Sequence, residues 1–294
     1  MAVISSRRDV LHFSYGAAAA IGVSAVAGPV PAAAQGTSAS NPSAEDFFYR
    51  EDLFGEPWRK PETAVLIHGN AESSIVWYAW MPRMGQEFRV VRPDLPGLGR
   101  SRIPAGFEWT LPSLAAFVAR VLDKAGVDTA HIIGAKAGGA IATQFAADYP
   151  ARTRTLSVIH VATADPNRSR PSTGAAYAPQ LARLGSTASK EMVDYWEHMF
   201  ATEPEIPAKH LPAAVSEFDP ARDGVFQRIK APTLLMTADR GQEQSVEKAR
   251  QYQTLIPNSR LVVLRSDGYH IAASNAEECV TNVLAFIKEA KHKP

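Results

Sequence analysis

The sequence has very little cysteine and no concentration of charge. Cys279 is the only cysteine in 294 residues, so an internal disulfide framework and a cysteine-based metal site are both excluded. The formal net charge is +1, and no block of like charges occurs. Because nucleic acids and anionic membranes are recognised through clustered basic residues, neither is expected as a partner. Histidine and carboxylate residues never cluster at metal-binding spacing, so we predict neither a metal nor a cofactor.

Charged residues are also missing from positions 10–44, a stretch rich in alanine and glycine. The preceding "SRRDVL" (6–11) resembles a twin-arginine export signal, and the alanines at 32–34 suit a cleavage site. An uncleaved membrane anchor is the alternative, but prolines 29 and 31 interrupt the apolar stretch before it reaches spanning length. We therefore predict a signal peptide over 1–34, a polar linker over 35–46, and a periplasmic or secreted chain that leaves the membrane after cleavage.

From residue 47 onward, short apolar runs alternate with longer amphipathic stretches. The segment 111–127 has apolar residues at helical spacing, and the runs between such segments have the character of buried parallel strands. This alternation predicts an α/β domain over 47–294 with a doubly wound, mostly parallel sheet. One interval, 165–228, is too long for a simple crossover, and we predict that it forms an inserted helical lid. The predicted strands cover 64–69, 88–97, 130–135, 155–162, 231–239 and 260–268.

Four motifs in this region occur in a recognisable order. They are "LIHGNAESSIVW" (66–77), "RPDLPGLGRSRIP" (92–104), "IIGAKAGGAIA" (132–142) and "VVLRSDGYHIAASNAEE" (262–278). Together they resemble the α/β-hydrolase superfamily, and the first motif is most similar to the branch of haloalkane dehalogenases and epoxide hydrolases. The resemblance covers the chain from about residue 47 to its end, and it implies the α/β-hydrolase fold and a small-molecule substrate.

The resemblance also implies which residues form the site. The third motif stands where the family places its nucleophile elbow, and the residue at its centre is Lys136. The fourth motif ends in the counterpart of the catalytic histidine, His270. Backbone amides of Gly69 and Ala137 would form an oxyanion hole, to which Asn70 adds a side-chain donor. Halide chemistry is not expected, because the tryptophan that follows the nucleophile in dehalogenases is Ala137 here.

A lysine at the elbow excludes ordinary serine-type ester hydrolysis, since acyl transfer to an amine leaves a stable amide. Burial and the helix N-terminus both disfavour the charged form, so the sequence predicts a pKa for Lys136 below the ordinary value of about 10.4. A neutral amine could form a Schiff base or act as a base, whereas an ammonium group could bind a carboxylate or enolate oxygen. The alternative is that the nucleophile has been lost and the side chain merely fills the site.

The acid that normally orients the histidine is also missing, because the position at which the family carries it is Gly241. Asp239, two residues earlier, is a candidate partner of His270, although such a residue is more often part of a turn. Asp165 is a second candidate, and the third possibility is that no carboxylate of the standard kind supports the histidine. His68 is interpreted as a structural loop histidine. Three residues beside the mouth of the site are noted as candidates for water activation: Glu72, Ser73 and Ser74.

These observations support one main functional hypothesis and two alternatives. The main one is an exported enzyme, a hydrolase or a C–C lyase, that acts on a small, largely apolar carbonyl or ester-like substrate without a serine nucleophile, using Lys136 and His270. A catalytically dead α/β-hydrolase fold that binds a ligand or partner is the first alternative. The second is a hydrolase whose nucleophile is a water activated by His270. The oligomeric state stays open.

Overall fold

Seven strands form one sheet in the computed structural model, which describes residues 47–161, 184–201, 205–241 and 246–291. The strands lie in the order β1-β3-β2-β4-β5-β6-β7; β1 is antiparallel to β3, and all the other neighbours are parallel. The strands are β1 Tyr49–Asp52, β2 Thr63–Ile67, β3 Arg89–Pro93, β4 Ala130–Lys136, β5 Thr153–Val161, β6 Thr233–Ala238 and β7 Ser259–Leu264.

The six predicted strands are confirmed, each shifted by a few residues at its ends. They were recognisable because helices cover both faces of the sheet, so every position of β2, β4 and β6 is buried. β1 was missed. Its sequence, YRED, is polar, and the strand pairs along one side only, so it is not fully buried. No apolar run marks such an edge strand.

Nine α-helices of the described residues connect and cover the strands. They are α1 Met81–Glu87, α2 Leu111–Lys124, α3 Ala137–Asp148, α4 Lys190–Ala201, α5 Glu205–Ser216, α6 Val225–Arg228, α7 Val246–Leu255, α8 Ile271–Ser274 and α9 Ala276–Lys291, with 3₁₀ turns at Pro57–Arg59, Ser74–Trp80 and Pro150–Arg152. Among the described residues, no helix has the length and apolar character needed to cross a lipid bilayer.

Two apolar cores lie on the two faces of the sheet. Helices α2, α3, α5, α6 and α7 contribute to one core, and α1, α4, α8 and α9 to the other. The α2 stripe is buried as predicted, and its first turn is capped by Thr110, whose hydroxyl accepts a hydrogen bond from the Ser113 amide at 3.2 Å. This is the doubly wound arrangement that the alternation of strands and helices predicted.

The helices α4, α5 and α6 follow β5 and precede β6, within the interval where a lid was predicted. Trp196 of α4 is buried and contacts His270, with ring centroids 5.0 Å apart in an edge-to-face arrangement. The first part of the predicted lid, which includes Asp165, lies outside the described residues, as do the predicted signal peptide and linker.

The carboxyl ends of β2, β4 and β7 lead into the segments that carry the predicted site residues. In a parallel sheet the carboxyl ends of the strands lie at the same end of the sheet, and ligands of such sheets bind in the crevice just beyond them. The loop after β2 carries Gly69 and Glu72, β4 ends at Lys136, and the loop after β7 leads to His270. The topology therefore brings together segments that are about 200 residues apart in the chain.

Candidate active site

The elbow is a strained turn between β4 and α3. Lys136 has φ 54° and ψ −118°, a conformation that side-chain-bearing residues rarely adopt, and α3 begins at the next residue. Two glycines make the turn possible. A Cβ on Gly134 would lie 2.2 Å from the Gly138 carbonyl oxygen, and one on Gly138 would lie 2.1 Å from that of Ile67. The glycines of the motif therefore permit this close packing.

Lys136 projects into a buried site in which Glu72 is its ion-pair partner. The Lys136 Nζ donates to Glu72 Oε1, and both side chains are almost completely buried. The ring of Tyr269 also faces the ammonium, with its centroid 5.1 Å from Nζ. The lysine therefore has a carboxylate partner that the sequence analysis had not assigned to it.

Glu72 also contacts His270 and the oxyanion loop. Its Oε1 lies 3.1 Å from His270 Nε2, and its Oε2 accepts the Gly69 N–H at 2.8 Å. The loop is shaped for this contact: Ala71 has φ 54°, and a Cβ on Gly69 would lie 3.0 Å from Glu72 Oε2 and 3.1 Å from Lys136 Cε. One carboxylate thus bridges the lysine, the histidine and a predicted oxyanion donor.

The electrostatics of the cluster determine its charge state. Burial acts to raise the pKa of Glu72, but the charges of Lys136 and His270 and their hydrogen bonds outweigh it and hold the pKa well below the ordinary range. Glu72 is therefore ionised, and because a carboxylate can only accept, it favours a proton on His270 Nε2, the ring nitrogen 3.1 Å from its Oε1. An adjacent carboxylate favours the ammonium form of Lys136, one of the two forms that the sequence left open.

Asp239 lies elsewhere. Its carboxylate accepts the Ser266 N–H at 2.9 Å and is 3.6 Å from Arg240 Nε, and its side chain is 42% exposed, whereas that of His270 is buried. Of the described residues, Glu72 is the carboxylate that contacts His270. Asp239 is thus a turn residue in this structure and not the partner of the histidine.

His160 occupies the space beside Gly241, the position at which the family carries its acid. Its Nε2 accepts the Ala238 N–H at 3.1 Å, so Nδ1 carries the proton and donates to the Tyr269 carbonyl at 2.9 Å. Burial lowers the pKa of His160 to about 4, so the ring is neutral. A Cβ on Gly241 would lie 3.1 Å from His160 Cε1. The hydrogen bonds of His160 thus hold the end of β6 and the residue before His270 in place. Its ring leaves little room for an acid at position 241.

The remaining predicted residues lie around the same edge of the sheet. His68 is structural, as predicted: Nε2 accepts the Leu95 N–H at 3.0 Å, and Nδ1 donates to the Gly69 carbonyl at 2.7 Å. Ala137 is buried at the first position of α3. Asn70 is half-buried in the loop after β2, and its Oδ1 has no hydrogen-bond partner within the described residues. Within the same residues, no group of histidine, cysteine and carboxylate side chains could hold a metal ion.

The role of Glu72 was missed, although the sequence contained a signal for it. A lysine at the buried centre of the elbow needs a compensating charge, because an unpaired buried ammonium group is costly. The first motif supplies an acid three residues after Gly69. Sequence reasoning placed this acid beside the mouth of the site but could not tell that the turn at Ala71 directs it inward.

Comparisons with known proteins agree with this architecture. A family model described as alpha/beta hydrolase fold matches residues 64–184, which include the oxyanion loop and the elbow. A 2-hydroxy-6-oxo-2,4-heptadienoate hydrolase of Pseudomonas putida is 34% identical over 95 residues, 31% of this chain and 34% of that protein. A poly(3-hydroxyalkanoate) depolymerase of Ectopseudomonas oleovorans is 24% identical over 266 residues, 81% of this chain and 88% of that protein.

Among solved structures, a thermophilic esterase from Thermogutta terrifontis superimposes with a TM-score of 0.71 at 21% identity, covering 83% of this chain and 93% of that one. At this identity the likeness concerns the fold alone. The chain spans only about a third of the length of the hydrolase from Pseudomonas putida (34%). The motifs, the topology of the sheet, the matched family model and the superposition agree that this chain has the α/β-hydrolase fold.

Proposed function

We propose that this chain is a hydrolase that acts on a small, largely apolar carbonyl or ester-like substrate without forming an acyl-enzyme. The observation that supports it best is the buried cluster at the elbow, in which the Glu72 carboxylate contacts both Lys136 and His270. A cation and an acid–base group that lie together at the carboxyl ends of the parallel strands are suited to reactions at a carbonyl carbon. The similarity to the depolymerase, which extends over most of both chains, favours an ester as substrate.

Lys136 acts in this proposal as a cation and not as a nucleophile. Its contact with the ionised Glu72 favours the ammonium form, and an ammonium group has no lone pair with which to attack a carbonyl carbon. The same group stabilises negative charge that develops on a carbonyl oxygen, together with the backbone amide of Ala137 at the start of α3. At the elbow, the residue that usually attacks the substrate is thus replaced by one that stabilises negative charge on it.

His270 moves the proton, and Glu72 orients the ring. Water adds its oxygen to the carbonyl carbon while the imidazole removes one of its protons, and the resulting oxyanion is held by Lys136. Collapse of the tetrahedral intermediate expels an alkoxide, which takes the proton back from the imidazolium. The products are a carboxylic acid and an alcohol, and no bond to the protein forms. Glu72 favours this cycle because a carboxylate stabilises the imidazolium.

The surroundings of the cluster suit an apolar substrate. Trp196 packs edge-on against His270, and outside it Tyr195 of α4 packs edge-on against Tyr78, with ring centroids 5.4 Å apart. Ile75 is also partly exposed in the turn that carries Tyr78. An aromatic and aliphatic surface around a buried polar centre is the usual composition of a small-molecule site.

Hydrolysis of p-nitrophenyl esters of increasing chain length by the wild type, Lys136→Met and His270→Asn tests the proposal. We expect Lys136→Met to lower kcat by about 10²–10³-fold through the loss of an oxyanion donor. His270→Asn should lower it by about 10²–10⁴-fold through the loss of acid–base catalysis. Lys288→Met is the matched control, because Lys288 pairs with Glu87 at the surface, at 3.0 Å, and should leave the rate unchanged.

The mass of the intact protein, measured after rapid quenching, distinguishes this route from covalent ones. We expect an unmodified chain during turnover. An acyl adduct would contradict the direct attack of water, and an aldehyde adduct fixed on Lys136 by borohydride would show that the lysine reacts as a neutral amine. Full activity of Lys136→Met would remove the lysine from the mechanism.

A catalytically inactive binding protein is the second candidate, and one contact favours it. The Gly69 amide, a predicted oxyanion donor, is already occupied by Glu72 Oε2, so that the charged groups of the cluster satisfy one another. Under this alternative, none of the ester substrates is hydrolysed faster by the wild type than by Lys136→Met or His270→Asn.

The chain is further proposed to be exported to the periplasm or beyond, on the basis of Arg7, Arg8 and the alanines at 32–34. Replacement of both arginines by lysine should retain the protein in the cytoplasm at full precursor mass. N-terminal sequencing of the exported wild-type protein should begin near Gln35. An exported protein with its first residue intact would contradict the cleavage prediction.

A further inference from the structure

Three hydrogen-bond donors converge on the Glu72 carboxylate from three different segments of the chain. The Gly69 N–H donates to Oε2 at 2.8 Å, while Lys136 Nζ and His270 Nε2 both contact Oε1, the latter at 3.1 Å. The side chains of Glu72, Lys136 and His270 are each 5% exposed or less. Such a set of buried donors, one of them a cation, constitutes a binding site for a carboxylate.

The occupant of this site belongs to the chain itself. Beyond its Cβ, the Glu72 side chain consists of one methylene group and the carboxylate, which together have the composition of bound acetate. The left-handed backbone of Ala71 directs this group inward, and Gly69 leaves the space for it. The backbone of the loop thus sets the position of the carboxylate, in contrast to the carboxylate of a flexible glutamate at the surface.

We propose that Gly69, Lys136 and His270 form a monocarboxylate site that Glu72 fills from within, so that carboxylate products are excluded from the reaction centre. The second half of this inference rests on the proposed ester hydrolysis, which releases a carboxylic acid beside a buried ammonium group. A tethered carboxylate competes at a high effective concentration, so a free acid cannot displace it readily. A neutral ester is not a competitor of this kind.

Thermal unfolding of Glu72→Ala in sodium acetate tests the site without any measurement of catalysis. The substitution removes the atoms that acetate would replace, and a ligand that binds the native state raises Tm with its concentration. We expect Tm of Glu72→Ala to rise with acetate well beyond its rise in sodium chloride of the same ionic strength. Wild type and Glu72→Gln should show no such difference, because their side chains fill the site.

Two further variants locate the effect. Lys136→Met combined with Glu72→Ala should lose the response to acetate, whereas Glu87→Ala, which removes a surface glutamate that is also paired with a lysine, should never acquire one. Butyrate should stabilise Glu72→Ala less than acetate does, because the vacated space accommodates a methylene group and a carboxylate only.

Several outcomes would overturn the inference. They are equal stabilisation of Glu72→Ala by acetate and by chloride, a response that persists in the double variant, and a wild type that responds as strongly as Glu72→Ala. If Glu72→Ala does not fold alone, its soluble yield with acetate in the growth and lysis media replaces Tm; equal yields in acetate and chloride would then be the contradicting result. Since these measurements report binding only, an inactive protein with a positive acetate response would refute the proposed function and retain the site.

Discussion

Replacement of Glu72 by glutamine should destabilise the protein strongly, although it changes only one charge and hardly any volume. The carboxylate accepts hydrogen bonds from Gly69 on one oxygen and from Lys136 on the other, which also lies 3.1 Å from His270 Nε2. An amide has one acceptor oxygen, so its NH₂ group must face at least one of these donors. The variant therefore loses a hydrogen bond and leaves the buried ammonium without its counter-charge.

The expected magnitude follows from two independent considerations. Removal of one partner of a buried ion pair typically costs about 3–5 kcal/mol of the free energy of unfolding. The cost is limited because Lys136 can release its proton instead: from the ordinary lysine value of about 10.4 to pH 7 this requires about 3.4 pH units, or about 4.6 kcal/mol. We therefore expect a loss of about 3–5 kcal/mol at pH 7.

The loss of stability in Glu72→Gln should depend on pH in a specific way. Because the folded-state pKa of Glu72 is depressed, its stabilising contribution is fully present above the unfolded value of about 4.3 and is lost as pH falls through the folded value. The difference between wild type and Glu72→Gln should thus be constant near pH 6–7 and shrink below pH 4.3, by up to about 1.4 kcal/mol per pH unit. Above pH 7 it should also decrease, since deprotonation of Lys136 in the variant becomes less costly.

Urea unfolding at several pH values, followed by circular dichroism, measures these differences. Glu87→Gln is the matched control, because Glu87 pairs with Lys288 at the surface, where an ion pair contributes about 0–1 kcal/mol. A Glu72→Gln variant within about 0.5 kcal/mol of the wild type at pH 7 would refute the reasoning, as that is the range of ordinary surface substitutions. A large loss that does not change below pH 4.3 would show that shape and not charge is responsible.

Three further predictions concern the cluster, the elbow and the buried histidine. In urea unfolding, Lys136→Met and Glu72→Gln should each lower the free energy of unfolding by about 3–5 kcal/mol. The double variant should lose less than the sum of the two single losses, by about 0.5–3 kcal/mol, and additive losses would contradict the ion pair. Gly138→Ala should lower the free energy of unfolding by about 3 kcal/mol or more, because its Cβ would meet a carbonyl oxygen at 2.1 Å. Gly126→Ala is the control: Gly126 has φ 64° but open space around it, so the loss should be about 1–2 kcal/mol. Similar losses in the two variants would argue against the close packing of the elbow. His160, whose pKa is lowered to about 4, binds its proton in the unfolded state first, so stability should fall as pH decreases from about 6.5 to 4, by up to about 3.4 kcal/mol. His160→Gln should show a correspondingly shallower acid dependence, and an unchanged slope would place the titration elsewhere.

Much of the architecture could be predicted from local patterns. Apolar runs identified the six parallel strands, of which β2, β4 and β6 are buried at every position, and helical spacing identified α2. Glycines at 134 and 138 marked the elbow, since only a residue without Cβ permits the observed approach to the neighbouring backbone. The edge strand β1 escaped because a polar strand that pairs along one side has no such pattern.

The charge state of the site depended on contacts that no local pattern reveals. The family resemblance carried by the four motifs predicted that the elbow lysine and His270 belong to one site, and it implied that the usual acid is missing after β6. Only the tertiary structure showed that the turn at Ala71 brings Glu72 between them, 64 residues before the lysine in the chain. The physical reason is that hydrophobic periodicity specifies which segments are buried, whereas the pairing of buried charges depends on side-chain directions set by single backbone angles.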